Sequence, residues 1–283
     1  MKNITRPTET INDILDIFLN DRPRQQTVSE IDSNRTALIA LENQYITKTQ
    51  DNTLYEISRG IPASITLTEE SLIRYYEYRM LERDNGRNFY DKLLISVPYN
   101  TCPYCTIKNV TTIDHFLPKS KYPFLSVTPT NLVPSCRDCN TDKKVSYPTN
   151  RDNQTFHPYF DIVDNEPWII AELLRAEPLS FHFKVQRIPT WDDNKYSRSL
   201  THFDAYKINE LFSSEANNEL RGRRLFFKRH IQRNRTELID HLNETYQSYL
   251  DSFGLLDWRT VMYHCLINDD WFLDGCAGNN YFN

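Results

Sequence analysis

The apolar residues in the first third of the chain recur at helical spacing. Residues 8–19 (TETINDILDIFL) place their apolar side chains on one face, with Thr8 as a candidate N-cap. A second helix is predicted from about residue 29 to 45. The stretch 71–83 (SLIRYYEYRMLER) predicts a third, and the Asn-Gly pair at 85–86 is interpreted as its end. This part of the chain is therefore predicted to be mainly helical.

The pattern changes after this stretch. A short helix at 88–95 (NFYDKLLI) leads into a segment with two short predicted strands, at 110–114 and 131–134. Residues 178–188 alternate apolar and polar side chains, which indicates a further strand. Helical periodicity then returns and lasts from about residue 199 to 270.

These patterns divide the chain into three regions. We predict a helical N-terminal region at 1–96, a compact module at 97–151, and a mainly helical region with a short strand pair at 152–283. The 283 residues are 39% hydrophobic and 25% charged, a composition that supports a folded core and excludes a disordered chain.

The sequence also excludes several classes of protein. The six glycines form neither GxGxxG nor GxxxxGK[ST], so the usual nucleotide-binding loops are absent. The longest apolar stretch, around 168–174, is far too short for a membrane-spanning helix and contains Glu172. The first ten residues lack the apolar core of an export signal, so we expect a cytoplasmic protein.

Four of the six cysteines have the spacing of a zinc site. The pairs are Cys102 with Cys105 and Cys136 with Cys139. A redox motif needs only one Cys-x-x-Cys pair, whereas two pairs can surround a tetrahedral Zn²⁺ with four thiolates. We therefore predict a structural zinc site. Cys265 and Cys276 have no such partners and are expected to be buried, inert thiols.

The segment that holds the four cysteines also concentrates positive charge. Residues 101–151 carry seven basic and three acidic side chains, although the whole chain has a net charge of −5. A basic segment within an acidic protein favours a local anion-binding site, although chance clustering gives the same pattern.

Chemically useful side chains lie at the ends of the elements predicted in this segment. Asp114 and His115 end the first strand, and Asn140 follows the last cysteine on a helix where Lys143 and Lys144 share its face. Packing the strands on this helix would bring the Asp-His pair and the asparagine together. Carboxylate and amide oxygens suit Mg²⁺, an imidazole can take a proton from water, and lysines attract phosphate. This set suits metal-assisted phosphodiester hydrolysis, whereas an isolated Asp-His pair would be interpreted as a turn or helix cap.

The run 102–144 (CPYC…IDHFLPKSKYPFLSVTPTNLVPSCRDCNTDKK) resembles the HNH endonuclease family in its zinc-containing ββα-metal form. The resemblance implies that His115 is the general base and that Asp114 and Asn140 hold the catalytic divalent ion. The last metal-ligand position is Asn rather than His, which favours Mg²⁺ or Mn²⁺ over a catalytic Zn²⁺ or Ni²⁺.

The same resemblance implies roles for three more residues. Asn131 corresponds to the middle Asn of the family pattern, which braces the loop and helps to orient the base. Lys143 or Lys144 corresponds to the basic position after the final ligand, where it would contact the nucleic acid.

The flanking residues carry a second resemblance. DHFLPKSKYP and NLVPSC, followed by 156–161 (FHPYFD), are similar to HNH effectors of bacterial anti-phage systems such as the Septu-type and retron-linked nucleases. These work with an ATPase partner, and the absence of a nucleotide motif in this sequence is consistent with an ATPase supplied by another protein. His157 is expected to be a turn histidine, with a metal-ligand or proton-shuttle role as the alternative.

The C-terminal region contains a run of basic residues. Residues 220–236 hold seven arginines and lysines and no acidic residue. On a single helix, Arg221, Arg224 and Lys228 would project together and follow nucleic-acid phosphates. An equally favoured alternative is a solvated helix face paired with acidic residues. The acidic tail at 269–274 is interpreted either as a partner-docking element or as a terminal helix that packs.

Together these features predict an α+β protein in which a ββα-metal HNH module with a structural zinc lies between two mainly α-helical regions. The favoured function is a divalent-metal-dependent HNH endonuclease, with DNA favoured over RNA, acting as the nuclease effector of an anti-phage system. The alternative is a zinc-stabilised module that binds nucleic acid or protein and has lost catalysis.

Overall fold

Eleven α-helices and two separate β-hairpins make up the part of the chain that the computed structural model describes, residues 1–143, 145–231 and 234–276. The chain divides into two compact units, Met1–Ile162 and Val163–Asn283. The predicted region boundaries at 96 and 151 both fall inside the first unit. The mixture of helices with small sheets confirms the predicted fold class.

Four helices and a π-helical segment form the N-terminal part of the first unit. They are α1 (Ile11–Asn20), α2 (Gln25–Gln50), α3 (Glu69–Arg74), the π-helical segment (Tyr75–Met80) and α4 (Asp84–Leu94). The N-cap of α1 is Thr10 rather than the predicted Thr8. The Thr10 hydroxyl accepts from the backbone of Asp13, and the Asp13 carboxylate accepts from the backbone of Thr10, which satisfies two free amides at the helix start.

The third predicted helix differs from the structure because Gly86 does not end a helix. Gly86 lies in the first turn of α4, where a Cβ atom would be 2.0 Å from the carbonyl oxygen of Arg79 and 2.8 Å from Cα of Met80. The glycine therefore permits the start of α4 to approach the backbone of the π-helical segment, a contact that any side chain would block.

The second part of this unit is a ββα arrangement. Strands β1 (Thr112–His115) and β2 (Leu132–Ser135) pair antiparallel, with Thr112 opposite Ser135 and His115 opposite Leu132. Helix α5 (Arg137–Lys143) follows and packs against β1. The order of elements is the predicted one, shifted by one or two residues.

The second unit contains the other hairpin and six helices. They are β3 (Ile169–Leu174), β4 (Ser180–Val185), α6 (Asp193–Ala205), α7 (Ile208–Gly222), α8 (Arg224–Ile231), α9 (Arg235–Phe253), α10 (Trp258–Ile267) and α11 (Asp270–Leu273). The β-hairpin confirms the strand signal at 178–188, and its inward side chains pack on α7, where Phe183 meets Phe212 with ring centroids 5.3 Å apart. No helix among the described residues is long and apolar enough to cross a membrane.

Candidate active site

The four thiols predicted to bind zinc lie together and are buried. They belong to Cys102, Cys105, Cys136 and Cys139. Their sulfur atoms all lie within 4.8 Å of one another. Sulfur ligands at about 2.3 Å from a tetrahedral Zn²⁺ are about 3.8 Å apart, so the cluster fits a structural zinc ion. Within the described residues, no other group of three or more His, Cys, Asp and Glu side chains brings its ligand atoms together in this way.

Backbone hydrogen bonds shape both cysteine pairs. The amide of Cys102 donates to the carbonyl of Lys108, and the amide of Thr106 donates to the carbonyl of Cys102, each over 2.8 Å. Thr106 adopts a left-handed conformation (φ 59°), which turns the chain back on itself. In the second pair, the amide of Cys139 donates to the sulfur of Cys136 over 3.4 Å. The zinc ligands are therefore oriented by the backbone around them.

The other two cysteines take no part in this cluster. Cys276 is buried and Cys265 is partly buried. Burial raises the pKa of Cys265 to about 12 and that of Cys276 to about 11, so both are protonated thiols at neutral pH.

Asp114 is a buried carboxylate in β1, and two side chains hold it. Its Oδ2 accepts a hydrogen bond from the hydroxyl of Tyr104 over 2.9 Å and one from the ammonium of Lys143 over 2.8 Å. Tyr104 lies inside the first cysteine pair and Lys143 ends α5, so both groups are positioned by elements that the zinc site joins. The Oδ1 atom is not engaged by either group.

Lys143 lies inside the protein rather than on its surface. Its side chain is 5% exposed, and its ammonium also donates to the carbonyl of His115 over 2.7 Å. Burial lowers the pKa of Lys143, and the neighbouring Asp114 carboxylate opposes this effect. The predicted phosphate contact at Lys143 would require this internal ion pair to open. Lys144 lies outside the described residues.

His115 follows Asp114 and is oriented by a backbone carbonyl. Its Nε2 lies 2.8 Å from the carbonyl oxygen of Ser126. A carbonyl only accepts hydrogen bonds, so Nε2 carries the proton and Nδ1 carries a lone pair. The ring of Tyr76 packs edge-on against the imidazole, with centroids 4.5 Å apart. Burial lowers the pKa of His115 to about 4, so the imidazole is neutral at pH 7 and can accept a proton.

Asn131 holds the loop between β1 and β2. It is fully buried, and its Oδ1 accepts from the amide of Leu117 over 2.7 Å. Its Nδ2 donates to the carbonyls of Leu117 and Leu125, over 3.0 and 3.2 Å. Leu125 directly precedes Ser126, whose carbonyl orients His115. These bonds therefore connect Asn131 to the backbone that holds the imidazole.

Asn140 lies on α5, one turn before Lys143. It is half-buried, and its backbone amide donates to the carbonyl of Cys136 over 3.2 Å. Residues three apart on a helix share a face. Because Lys143 on this face reaches Asp114, we expect the Asn140 side chain to lie toward the same part of β1. Asn140 and Asp114 can thus offer oxygen ligands, which suit Mg²⁺ or Mn²⁺.

His157 is fully buried, and both of its ring nitrogens are engaged. Nδ1 accepts from the amide of Tyr159 over 3.2 Å, and Nε2 lies 2.9 Å from the hydroxyl of Tyr45. Its ring also packs on Phe116, next to His115 in the chain, with centroids 4.1 Å apart. This environment is that of a structural histidine behind the site rather than that of a metal ligand.

The basic segment at 220–236 lies in the second unit and is not a single helix. Helix α7 ends at Gly222 and α8 begins at Arg224, so Arg221 lies on a different helix from Arg224 and Lys228. This break corrects the prediction that the three share one helical face. Gly222 and the turn at Arg223 end the first helix.

Part of the basic segment is paired within the second unit. Arg223 forms an ion pair with Glu219 over 2.7 Å, and Arg235 pairs with Asp270 over 2.6 Å and also with Asp274. The acidic tail therefore contacts the basic segment, and Asp269 caps α11 through a hydrogen bond from the amide of Phe272. Nucleic-acid contacts by Arg221, Arg224 and Lys228 stay a prediction.

Sequence reasoning missed three groups that hold the site. Tyr104 contacts Asp114, Tyr76 contacts His115, and the Ser126 carbonyl orients the imidazole. The position of Tyr104 between two zinc ligands is a usable signal. The sequence carries no such signal for Tyr76, because this residue comes from a distant helical segment. It carries none for the Ser126 carbonyl either, because a backbone carbonyl is present whatever the side chain at that position.

The chain is similar to known proteins both in the ββα segment and over most of its length. The family model for HNH endonuclease matches residues 102–146. The chain is similar to Protein ea31 of Escherichia phage lambda, with 29% identity over 97% of this chain and 100% of that protein. A shorter segment is 36% identical to Septu protein PtuB of Bacillus thuringiensis, over 20% of this chain and 24% of that protein. No solved structure matches the chain.

The match covers the residues from the first zinc-site cysteine to just beyond α5. The antiparallel strand pair, the helix and the four clustered thiols all lie within it. The chain therefore contains an HNH endonuclease domain at residues 102–146.

Proposed function

We propose that the protein is a divalent-metal-dependent endonuclease that hydrolyses nucleic-acid phosphodiester bonds at the HNH domain. The observation that carries this proposal is the state of His115. The Ser126 carbonyl fixes the proton on Nε2 and leaves Nδ1 able to accept one, and burial keeps the ring neutral. A buried carboxylate, Asp114, lies at the adjacent position on the same strand.

The proposed reaction follows from these positions. Nδ1 of His115 accepts a proton from water as the water oxygen attacks phosphorus, and the bond from phosphorus to the 3′ oxygen breaks. Asp114 and Asn140 would hold the divalent ion, which when bound supplies positive charge for the developing charge on the leaving oxygen. Tyr104 and Lys143 keep the Asp114 carboxylate in one orientation, and Asn131 holds the loop that carries Ser126.

We also propose that the substrate is DNA, that the enzyme acts in the cytoplasm, and that its role is defence against phage together with an ATPase partner. The partial similarity to Septu protein PtuB supports the defence role. Infection of cells that carry the chain with and without a neighbouring ATPase gene tests this part. Lower plaque counts only when both proteins are present would support it, and equal counts in all strains would refute it.

The experiment that tests catalysis is substitution of the base. We expect His115→Ala to abolish Mg²⁺-dependent cleavage of labelled DNA and RNA while zinc content and thermal stability stay near those of the wild type, since the base acts in the transition state. His264→Ala, which replaces an exposed histidine in the second unit, is the matched control and should cleave normally. EDTA should stop cleavage by the wild type.

Two other outcomes distinguish the alternatives. Cleavage by His115→Ala near the wild-type rate would show that His115 is not the base. Binding of nucleic acid without cleavage by the wild type, in Mg²⁺ or Mn²⁺ and with the ATPase partner present, would favour the alternative of an inactive binding module.

A further inference from the structure

A cavity of about 320 Å³ lies in the first unit between the start of α2 and the segment from α3 to α4. Five arginines line it: Arg22, Arg24, Arg74, Arg79 and Arg83. Glu30 is the one acidic residue among the lining residues. We call this cavity the arginine pocket. Its lining carries a net positive charge of four, which attracts anions.

None of these arginines forms an ion pair with a carboxylate among the described residues. Arg79 is 9% exposed, and its guanidinium donates to the hydroxyl of Thr27 over 3.2 Å. Arg83 donates to the backbone carbonyl of Asp21 over 3.3 Å. Arg22, Arg24 and Arg74 are exposed, whereas Arg79 is buried and Arg83 partly buried. Buried or partly buried guanidinium groups are usually paired with a carboxylate, so Arg79 and Arg83 leave positive charge inside the pocket without a counterion.

Two buried donors in the pocket lack a hydrogen-bond partner within the described residues. Tyr75 is 4% exposed, and its hydroxyl has no partner. The Nε–H group of Arg83 is also buried and has none. A buried polar group without a partner costs about 1–3 kcal/mol, so native proteins rarely leave one unsatisfied without a ligand or water. Tyr75 and Arg83 line the same cavity as the arginines that have no carboxylate partner.

Three of the five arginines lie around one aromatic ring. The guanidinium groups of Arg74, Arg79 and Arg83 lie 5.4, 5.6 and 6.0 Å from the centre of the Tyr78 ring. Cation–π attraction offsets part of the repulsion among them and fixes their direction.

A helix terminus adds to this positive potential. Helix α2 is 26 residues long, and its N-cap, Arg24, provides no side-chain cap. The start of α2 lines the pocket at Arg24, Gln26 and Thr27, so the positive end of the helix dipole lies beside it.

We propose that the arginine pocket binds a phosphate-bearing anion, with the arginines contacting phosphate oxygens in pairs and the Tyr75 hydroxyl donating to one of them. The guanidinium fork matches phosphate geometry, and the uncapped helix start supplies further donors. The phosphates can belong to a free nucleotide or to a nucleic-acid strand. This inference goes beyond the proposed nuclease function, and its test does not involve cleavage.

The test is a calorimetric titration of the full-length protein in low salt without divalent ions. One arm uses inorganic pyrophosphate and ATP, and the other uses a short 5′-phosphorylated single-stranded oligonucleotide. The pocket variant is Arg24→Gln with Arg74→Gln, which replaces two exposed arginines and should leave the fold intact. The matched control is Arg59→Gln with Arg87→Gln, which removes the same charge at exposed positions outside the pocket.

We expect at least one ligand to bind the wild type and the control equally, and its affinity for the pocket variant to fall about tenfold or more. Tyr75→Phe should weaken the same ligand severalfold and keep the thermal stability of the wild type. Pocket-dependent binding of ATP identifies a free nucleotide, and pocket-dependent binding of the oligonucleotide alone identifies a strand. Pocket-dependent binding of pyrophosphate shows that the pocket recognises the phosphate groups themselves. The proposal is wrong if no ligand binds, or if the pocket variant binds every ligand as tightly as the control.

Discussion

At the residue scale, the polar side chains of the HNH domain are held mainly by backbone groups. The Ser126 carbonyl orients His115, and the backbone at Leu117 and Leu125 takes all three hydrogen bonds of Asn131. Asp114 is held by two side chains, which come from the zinc-site segments. The precision of the site therefore depends on buried hydrogen bonds that only a folded module provides.

Asn131 offers the clearest test of this dependence. We expect Asn131→Ala to lower the free energy of unfolding by about 1–3 kcal/mol, because it removes three buried hydrogen bonds and leaves the amide and carbonyl of Leu117 without this partner. Asn131→Asp should lower it further, since a carboxylate would face the carbonyls of Leu117 and Leu125. Denaturant unfolding measures both. Asn88→Ala, at an exposed position on α4, is the control and should change stability by less than about 0.5 kcal/mol.

The residues of the site differ in how far the sequence could predict them. The cysteines and the Asp-His pair could be identified because metal chemistry demands fixed residue types at fixed spacing. The ion pair of Lys143 with Asp114 could not, since the same lysine is suited to a surface phosphate contact. Tyr76 was also missed, because it reaches His115 from a helical segment 39 positions earlier in the chain.

At the element scale, the π-helical segment has two different neighbours. Tyr76 contacts His115, and Tyr75, Tyr78 and Arg79 line the arginine pocket. π-Helical turns are rare and often occur at functional sites. The helical period of 71–83 predicted a regular helix there, because the periodicity of apolar residues does not separate a π-helical turn from an α-helical one.

Gly86 tests how this segment is positioned. We expect Gly86→Ala to lower the free energy of unfolding by about 1–3 kcal/mol, because its Cβ would overlap the backbone of the π-helical segment. The control is Gly222→Ala, where a Cβ meets nothing within 4 Å and helix propensity adds up to about 1 kcal/mol of stability. Denaturant unfolding compares the two. Equal stability changes would show that the contact at Gly86 is not tight.

The basic segment of α7 and α8 gives a further prediction at this scale. If Arg221, Arg224 and Lys228 bind phosphates, changing all three to Gln should weaken binding to every sequence. It should also reduce the slope of log affinity against log salt by roughly 0.7 to 0.9 for each phosphate that is no longer neutralised. Titrations at three salt concentrations measure this slope. An unchanged slope would show that the segment is not part of the nucleic-acid site. If the variant still binds nucleic acid but no longer co-purifies with a partner protein, the segment is a partner-docking surface.

At the scale of the whole molecule, the metal site and the tryptophans lie in different units. All four zinc-site cysteines belong to the first unit, and all four tryptophans belong to the second. Each unit has its own buried apolar residues, such as Phe18 and Leu125 in the first and Trp168 and Phe212 in the second. Tryptophan fluorescence therefore reports on one unit alone.

We expect loss of zinc to destabilise the first unit alone. Chelation, or Cys136→Ser, should release the metal and speed amide hydrogen exchange across 102–143, because short strands and loops depend on the ion for their fold. The denaturant transition seen by tryptophan fluorescence should stay within error of that of the wild type. If the tryptophan fluorescence transition moves to lower denaturant together with the faster hydrogen exchange of 102–143, the two units unfold together. Cys265→Ser is the control and should retain zinc.

The close approach at Gly86 has a consequence for how variation in this protein is interpreted. A screen for variants that lose activity should return substitutions at Gly86, because a side chain there displaces the segment that carries Tyr76 against His115. Gly86 lies 16 positions before the first residue of the family match. A naturally occurring chain with every motif residue intact but a bulky residue at this position would be classed as an HNH endonuclease from its motif, although we expect Tyr76 to be displaced from His115 in that chain.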